Sequence, residues 1–134
     1  LEIRGQDEIM GYMRHHAIIV TSEISPNLNY AHLMARSIFG ESRVSSIVLS
    51  SVNCVCSFFV SPDGSKEGWD ESRIGDEQRD EFIAYLRREA YEDGSNSLTW
   101  AEVQYGDDDH ESAVVRSGDM DYCETLAKGG QNET

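Results

Sequence analysis

The sequence predicts an α+β domain: an antiparallel sheet with two helices on one face. Three observations predict it. Residues 44–60, VSSIVLSSVNCVCSFFV, form the longest run rich in β-branched and aromatic residues and read as two adjacent strands. A segment with apolar residues at helical spacing lies on each side of that run, and short alternating segments towards both ends supply further strands.

In chain order, residues 14–21 (RHHAIIVT) have an apolar centre bounded by polar residues and read as the first strand. Ser25 before Pro26 predicts an N-cap with proline in the first turn, and Gly40 a C-terminal stop. Between them Leu28, Ala31, Ala35, Ile38 and Phe39 line one face of the first helix. Residues 44–49 and 54–60 follow as the second and third strands, joined by a hairpin connection at 50–53. Phe58 and Phe59 point to opposite faces, so either both faces are covered or one ring is left as a contact surface. Residues 61–75 (SPDGSKEGWDESRIG) read as a long polar connection, the kind of loop that often carries function. Residues 76–91 read as the second helix, with acids first, Phe82, Ile83, Leu86 and Ala90 on one face, and Arg87 and Arg88 near its end. Residues 98–105 (LTWAEVQY) alternate as a fourth strand, and a tight acidic turn at 106–111 leads to a short fifth strand at 112–116. The order strand, helix, strand, strand, helix, strand, with one added hairpin strand, is that of a ferredoxin-like split βαβ sandwich. Residues 1–13 are expected to be a leader or flexible arm, 14–116 a single domain, and 117–134 a flexible polar tail.

At 134 residues the chain fits one domain that buries roughly two thirds of its unfolded surface and needs no staple. Its three cysteines cannot all pair internally, and Cys54 and Cys56 lack Cys-x-x-Cys spacing, so buried reduced thiols in a cytosolic protein are expected. No apolar run reaches the roughly 18 residues of a membrane span, and the first residues lack a signal-peptide pattern. Residues 1–60 hold five acids and four bases, whereas residues 61–134 hold twenty acids and seven bases, within a total of −14. Such a field repels nucleic acid and membrane surfaces and attracts a basic partner; it also keeps a small domain dissolved.

No catalytic motif stands out. His15 and His16, adjacent on a strand, point to opposite faces and cannot share one metal ion. His32 sits beside the apolar stripe of the first helix and reads as structural. Asp107, Asp108, Asp109, His110 and Glu111 cluster in one turn without EF-hand spacing. The turn is therefore expected to be a solvated tip whose acids Asp107, Asp108, Asp109 and Glu111 meet a partner, not a metal site. Gly64, Ser65 and Lys66 combine backbone amides with an ammonium, without the spacing of a phosphate loop. Trp69, near Lys66 and Arg73, either stacks on a ligand or partner or folds back over the sandwich. No Gly-x-Ser-x-Gly elbow, reactive-cysteine context or His-Glu-x-x-His helix is present.

The runs SFFVSPDGSKEGW, GDEQRDEFIAYL, YEDGSNSLTW and AEVQYGD resemble small accessory proteins of bacteriophages and prophages, over residues 14–116. The resemblance assigns no residue a role. It implies a setting in which small, often strongly acidic proteins block or sequester a host component, such as a defence enzyme or its signal molecule.

Three functions follow as expectations. The first is a non-catalytic inhibitor or adaptor whose acidic half docks on a basic, nucleic-acid-binding surface of a host protein. The second is a module that sequesters a nucleotide or nucleotide-derived signal, within one chain or across a homo-oligomer interface, with Lys66, Trp69, Arg73, Arg36, Arg43 and His16 as contacts. The third is an enzyme using His15 or His16 with nearby carboxylates. None of them calls for a cofactor, direct nucleic-acid contact or a membrane.

Overall fold

The structure, a computed structural model, describes residues 12–106 and 111–118. It is α+β: a five-stranded antiparallel sheet with two helices. Strand β1 (His15–Ser22) lies at the centre, and Ile18 and Val20 alternate onto its buried side. Helix α1 (Ser25–Phe39) buries Leu28, Ala31, Ala35 and Phe39 along one stripe. The expected Ser25 cap is corrected: Ile24 is the N-cap and makes no side-chain cap bond, while Ser22 Oγ accepts the Ile24 N–H at 2.9 Å. The stop at Gly40 is realised with φ 90° and ψ 151°, a region that side chains avoid.

The second and third strands are shorter than their composition predicts. Strand β2 is only Val48–Leu49 and β3 is Cys56–Val60, with Val44 bridging Val60 separately. Ser45 interrupts the ladder because its hydroxyl accepts the Phe59 N–H at 2.9 Å, a bond that side-chain oxygens offer in competition with the sheet. The tight turn falls at Asn53 and Cys54, both at φ 56°, and not at residues 50–53. Val55 N–H closes it on Val52 O at 3.3 Å, the two-residue geometry favoured by strand twist. Cys54 is consequently exposed, against the expectation of two buried thiols, while Cys56 is buried.

Helix α2 (Asp70–Arg88) starts six residues earlier than its apolar periodicity suggests, so the expected fifteen-residue loop shrinks to 61–69. Trp69 is its N-cap, and Asp70 and Glu71 place negative charge in the first turn, where the dipole favours it. Phe82, Ile83 and Leu86 are its buried face. Strand β4 (Thr99–Tyr105) follows, and β5 (Ala113–Gly118) runs two residues past its expected end. A bulge between Glu102 and Val103 shifts the β4–β5 register, and Gly118 is required because a Cβ there would lie 2.6 Å from the Trp100 ring nitrogen.

The sheet order is β2-β3-β1-β4-β5, every neighbour antiparallel. One core joins Ile18, Val20, Phe58, Val60 and Trp100 of the sheet to the buried faces of both helices. Phe58 is buried and Phe59 is 38 % exposed, so one ring remains open. Among the described residues no helix is long and apolar enough to cross a membrane.

Candidate functional site: the cleft beside Trp69

The loop 61–69 is held at both ends. β3 follows β1 as far as the Ile18–Val60 pair; the chain then swings out and returns where Lys66 bridges Met13 and Glu67 N–H donates to Tyr12 O at 2.8 Å. Residues 12 and 13 thus continue the pairing of β1. Within the excursion Asp63 Oδ1 accepts the Ser65 N–H at 2.8 Å and the Ser65 hydroxyl at 2.6 Å, a self-contained turn. The other carboxylate oxygen rests over Gly75 of α2, where a Cβ would come within 2.5 Å of it. Burial pushes the Asp63 carboxyl up. The Ser65 hydrogen bonds and the charges of Arg43 and Arg79 outweigh that and hold it below the usual carboxylate range.

On the other side of the loop, His16 Nε2–H donates to Glu67 Oε2 at 2.8 Å, and the Ser72 hydroxyl reaches the same oxygen at 3.5 Å. His16 is 8 % exposed, and its Nδ1 is buried with no hydrogen-bond partner. Glu67 is therefore what ties the loop to the inner face of β1.

Between loop and helix lies a cleft of about 310 Å³ lined by Arg43, Asp63, Ser65, Trp69, Glu71 and Gln78 among others. Arg43 enters from the 3₁₀ turn after α1 (Glu41–Arg43). Its Nε and Nη2 donate to Ser61 O at 3.3 and 3.0 Å, Nη1 reaches Gln78 Oε1 at 3.4 Å, and the guanidinium lies over the Phe39 ring at 5.2 Å. Burial lowers the Arg43 pKa from its ordinary value; Asp63 opposes this and Arg79 adds to it. Trp69 is half-buried, its N–H on Lys66 O at 3.1 Å and its own carbonyl accepting from Ser72 and Arg73. The cleft thus offers one indole, one unpaired carboxylate at Glu71, and a guanidinium already in use.

Of the expected contact residues, Arg43 and Trp69 meet at this cleft, and Lys66 belongs to the same loop. Arg73 pairs with Asp70 at 3.4 Å on the exposed side of α2, Arg36 pairs with Glu41, and His16 faces Glu67 under the loop; none of these three lines the cleft. Asp107, Asp108 and Asp109 lie outside the described residues. Glu111 is exposed, and its carbonyl accepts from Arg14 Nη2 at 3.4 Å.

Sequence reasoning missed three groups. Asp63 carried a signal, since Asp-Gly-Ser is turn chemistry, and its hydrogen-bond partner is the Ser65 already noted beside Gly64 and Lys66. Glu71, Glu77 and Glu81 are exposed on α2 and have no ion-pair partner among the described residues; the early helix start puts Glu71 on the same helix as the other two. Arg79 and Glu102, each 3 % exposed, form a buried ion pair at 3.4 Å that depends on α2 crossing β4, which nothing local announces. Among the described residues no three His, Cys, Asp or Glu side chains converge to hold a metal ion. Compared with known proteins, the chain matches no family model, no curated protein and no solved structure.

Proposed function

We propose that the protein is a small acidic binding protein without catalytic activity that docks through carboxylates on a basic surface of a partner. In the phage or prophage setting that partner is a host defence or nucleic-acid-binding protein. The observation that carries this reading is α2, on which Glu71, Glu77 and Glu81 stand exposed and without an ion-pair partner among the described residues, Glu71 at the Trp69 cleft. Glu77 and Glu81 are four residues apart, a like-charge spacing that costs an isolated helix roughly 0.2–0.5 kcal/mol and that a basic partner would turn into a gain. A half-buried indole next to Glu71 suits an arginine or lysine side chain of that partner.

Sequestration of a nucleotide-like ligand draws support from Arg43 and Trp69 lining one cleft. It ranks second because Arg43 already donates to Ser61 and Gln78, while Asp63 and Glu71 would face a phosphate. As to fold, we read the order β2-β3-β1-β4 as the ferredoxin-like split βαβ arrangement with β5 added. The single core shared by α1, α2 and the Ile18, Phe58 and Trp100 face supports both helices lying on that face.

The test is capture from host lysate at low and high salt by the wild type and by Glu71→Gln/Glu77→Gln/Glu81→Gln. Salt-sensitive capture lost in the variant supports docking. Equal capture by both proteins, or none at either salt, refutes it.

A further inference from the structure

Between α1 and α2 lies a second groove, of about 440 Å³, lined by Tyr30, Leu33, Met34, Ser37, Tyr85 and Glu89. Its volume is that of a small-molecule site, which combines an apolar lining with a few polar groups. The α1 residues recur at i, i+3, i+4 and i+7, so one face of that helix supplies most of the wall. The core meets α1 elsewhere, through Leu28, Ala31, Ala35 and Phe39, and leaves Tyr30 and Leu33 66 and 57 % exposed. On the α2 side the Tyr85 ring is fixed by stacking on Phe82, with 6.1 Å between centroids. In the Trp69 cleft Arg43, Asp63 and Ser65 are already hydrogen-bonded within the chain. Here the polar groups are uncommitted. Among the described residues the hydroxyls of Tyr30, Ser37 and Tyr85 have no hydrogen-bond partner and the Glu89 carboxylate has no ion-pair partner.

Charge decides what such a groove takes. None of the residues lining it is Lys, Arg or His. Glu89 is the C-cap of α2, where the last carbonyls of the helix already place negative charge, so a carboxylate there is unfavourable until a cation meets it. Its field reaches into the groove: burial pushes the Tyr85 hydroxyl above its ordinary range and Glu89 pushes it further, while Arg88 opposes without reversing the shift. Arg87, the other base of the last turn, is drawn to the Trp100 ring, 5.5 Å from its centroid. We propose that the groove binds a small organic cation, a primary ammonium on an apolar or aromatic body. The body packs on Leu33, Met34 and the tyrosine rings, and the ammonium donates to Glu89. This site is at the opposite end of α2 from Glu71 and stands independently of docking on a basic protein.

Methyl NMR of the full chain at fixed ionic strength tests this, with phenethylammonium, 2-phenylethanol and 3-phenylpropionate as cationic, neutral and anionic probes of similar shape. The ammonium is expected to shift the Leu33 and Met34 methyls saturably and to bind at least about fivefold more tightly than the alcohol, with no saturation by the carboxylate. Glu89 is exposed, so Glu89→Gln leaves the core intact; it should abolish that preference and leave the affinity for the alcohol unchanged. Tyr30→Ala should weaken both. The proposal is overturned by the absence of a saturable shift with the ammonium, by equal affinities for the three probes, by a preference that survives in Glu89→Gln, or by shifts spread over exposed carboxylates with none at Leu33 and Met34. Tighter binding of N-acetylarginine amide, the group that a partner protein would present, also overturns it, since the groove would then be a seat for a protein side chain. Capture of a partner through Glu71, Glu77 and Glu81 can succeed or fail without altering any of these outcomes.

Discussion

Replacing Glu102 probes a place where this acidic chain keeps full charges out of water. Its carboxylate receives Arg116 Nε at 2.5 Å and Nη2 at 3.2 Å and stands 3.4 Å from Arg79 Nε. Arg116 is also tied to Asp80 at 2.8 Å, and Arg79 to Asp76 one turn earlier on α2. Glu102 and Arg79 are each 3 % exposed, so Glu102→Ala strands a buried guanidinium whose remaining partner, Asp76, sits mostly in solvent. Breaking a buried pair in this way costs about 3–5 kcal/mol, a large part of the 5–15 kcal/mol that typically holds a domain together. With a urea slope of about 2 kcal/mol/M the midpoint should fall by roughly 2 M. Removing Arg79 together with Glu102 behaves differently: Arg79→Met/Glu102→Leu leaves no guanidinium stranded at position 79, and Arg116 keeps Asp80 at 2.8 Å, so the double variant should lose less stability than Glu102→Ala. Equilibrium urea unfolding followed by tryptophan fluorescence and circular dichroism measures all of these. A Glu102→Ala loss below about 1 kcal/mol, or a double variant as unstable as the single, would show that the pair does not behave as a buried one.

Asp63→Asn tests the loop turn through pH. A carboxyl held below its usual value stabilises the fold above the unfolded value of about 3.9 and loses that contribution as pH falls through the folded value. Urea midpoints of the variant should therefore drop less steeply than those of the wild type below about pH 4, and parallel curves would sink the assignment. Glu67→Ala leaves both His16 ring nitrogens buried without partners, which should cost about 1–3 kcal/mol and expose residues 61–69 to limited proteolysis; unchanged cleavage would mean that Glu67 does not hold the loop. Gly75→Ala, a change worth up to about 1 kcal/mol of gain in an ordinary helix, should instead lower the melting temperature and shift Trp69 emission. Its Cβ would press on the Asp63 carboxylate at 2.5 Å, and a rise in stability would contradict that contact.

The sequence by itself determined the elements and their order. Apolar residues repeat every three to four positions in α1 and α2 and alternate in β4, while β1 and β3 are marked by short apolar runs, and those patterns are properties of the chain before any contact forms. It also determined the charge and its concentration in the second half. Boundaries were less legible wherever a polar side chain competed with the ladder, as Ser45 does against β3, or wherever a helix began on residues with no apolar face, as α2 does on Asp70, Glu71 and Arg73. Tertiary structure alone decided which groups meet. Asp63 rests on Gly75, His16 reaches Glu67 across 51 residues, Arg43 joins Trp69 in one cleft, and Glu102 meets Arg79 and Arg116. Each of these pairings joins segments far apart in the chain, and local propensity carries no information about which distant partner a side chain will find until the sheet and helices have packed.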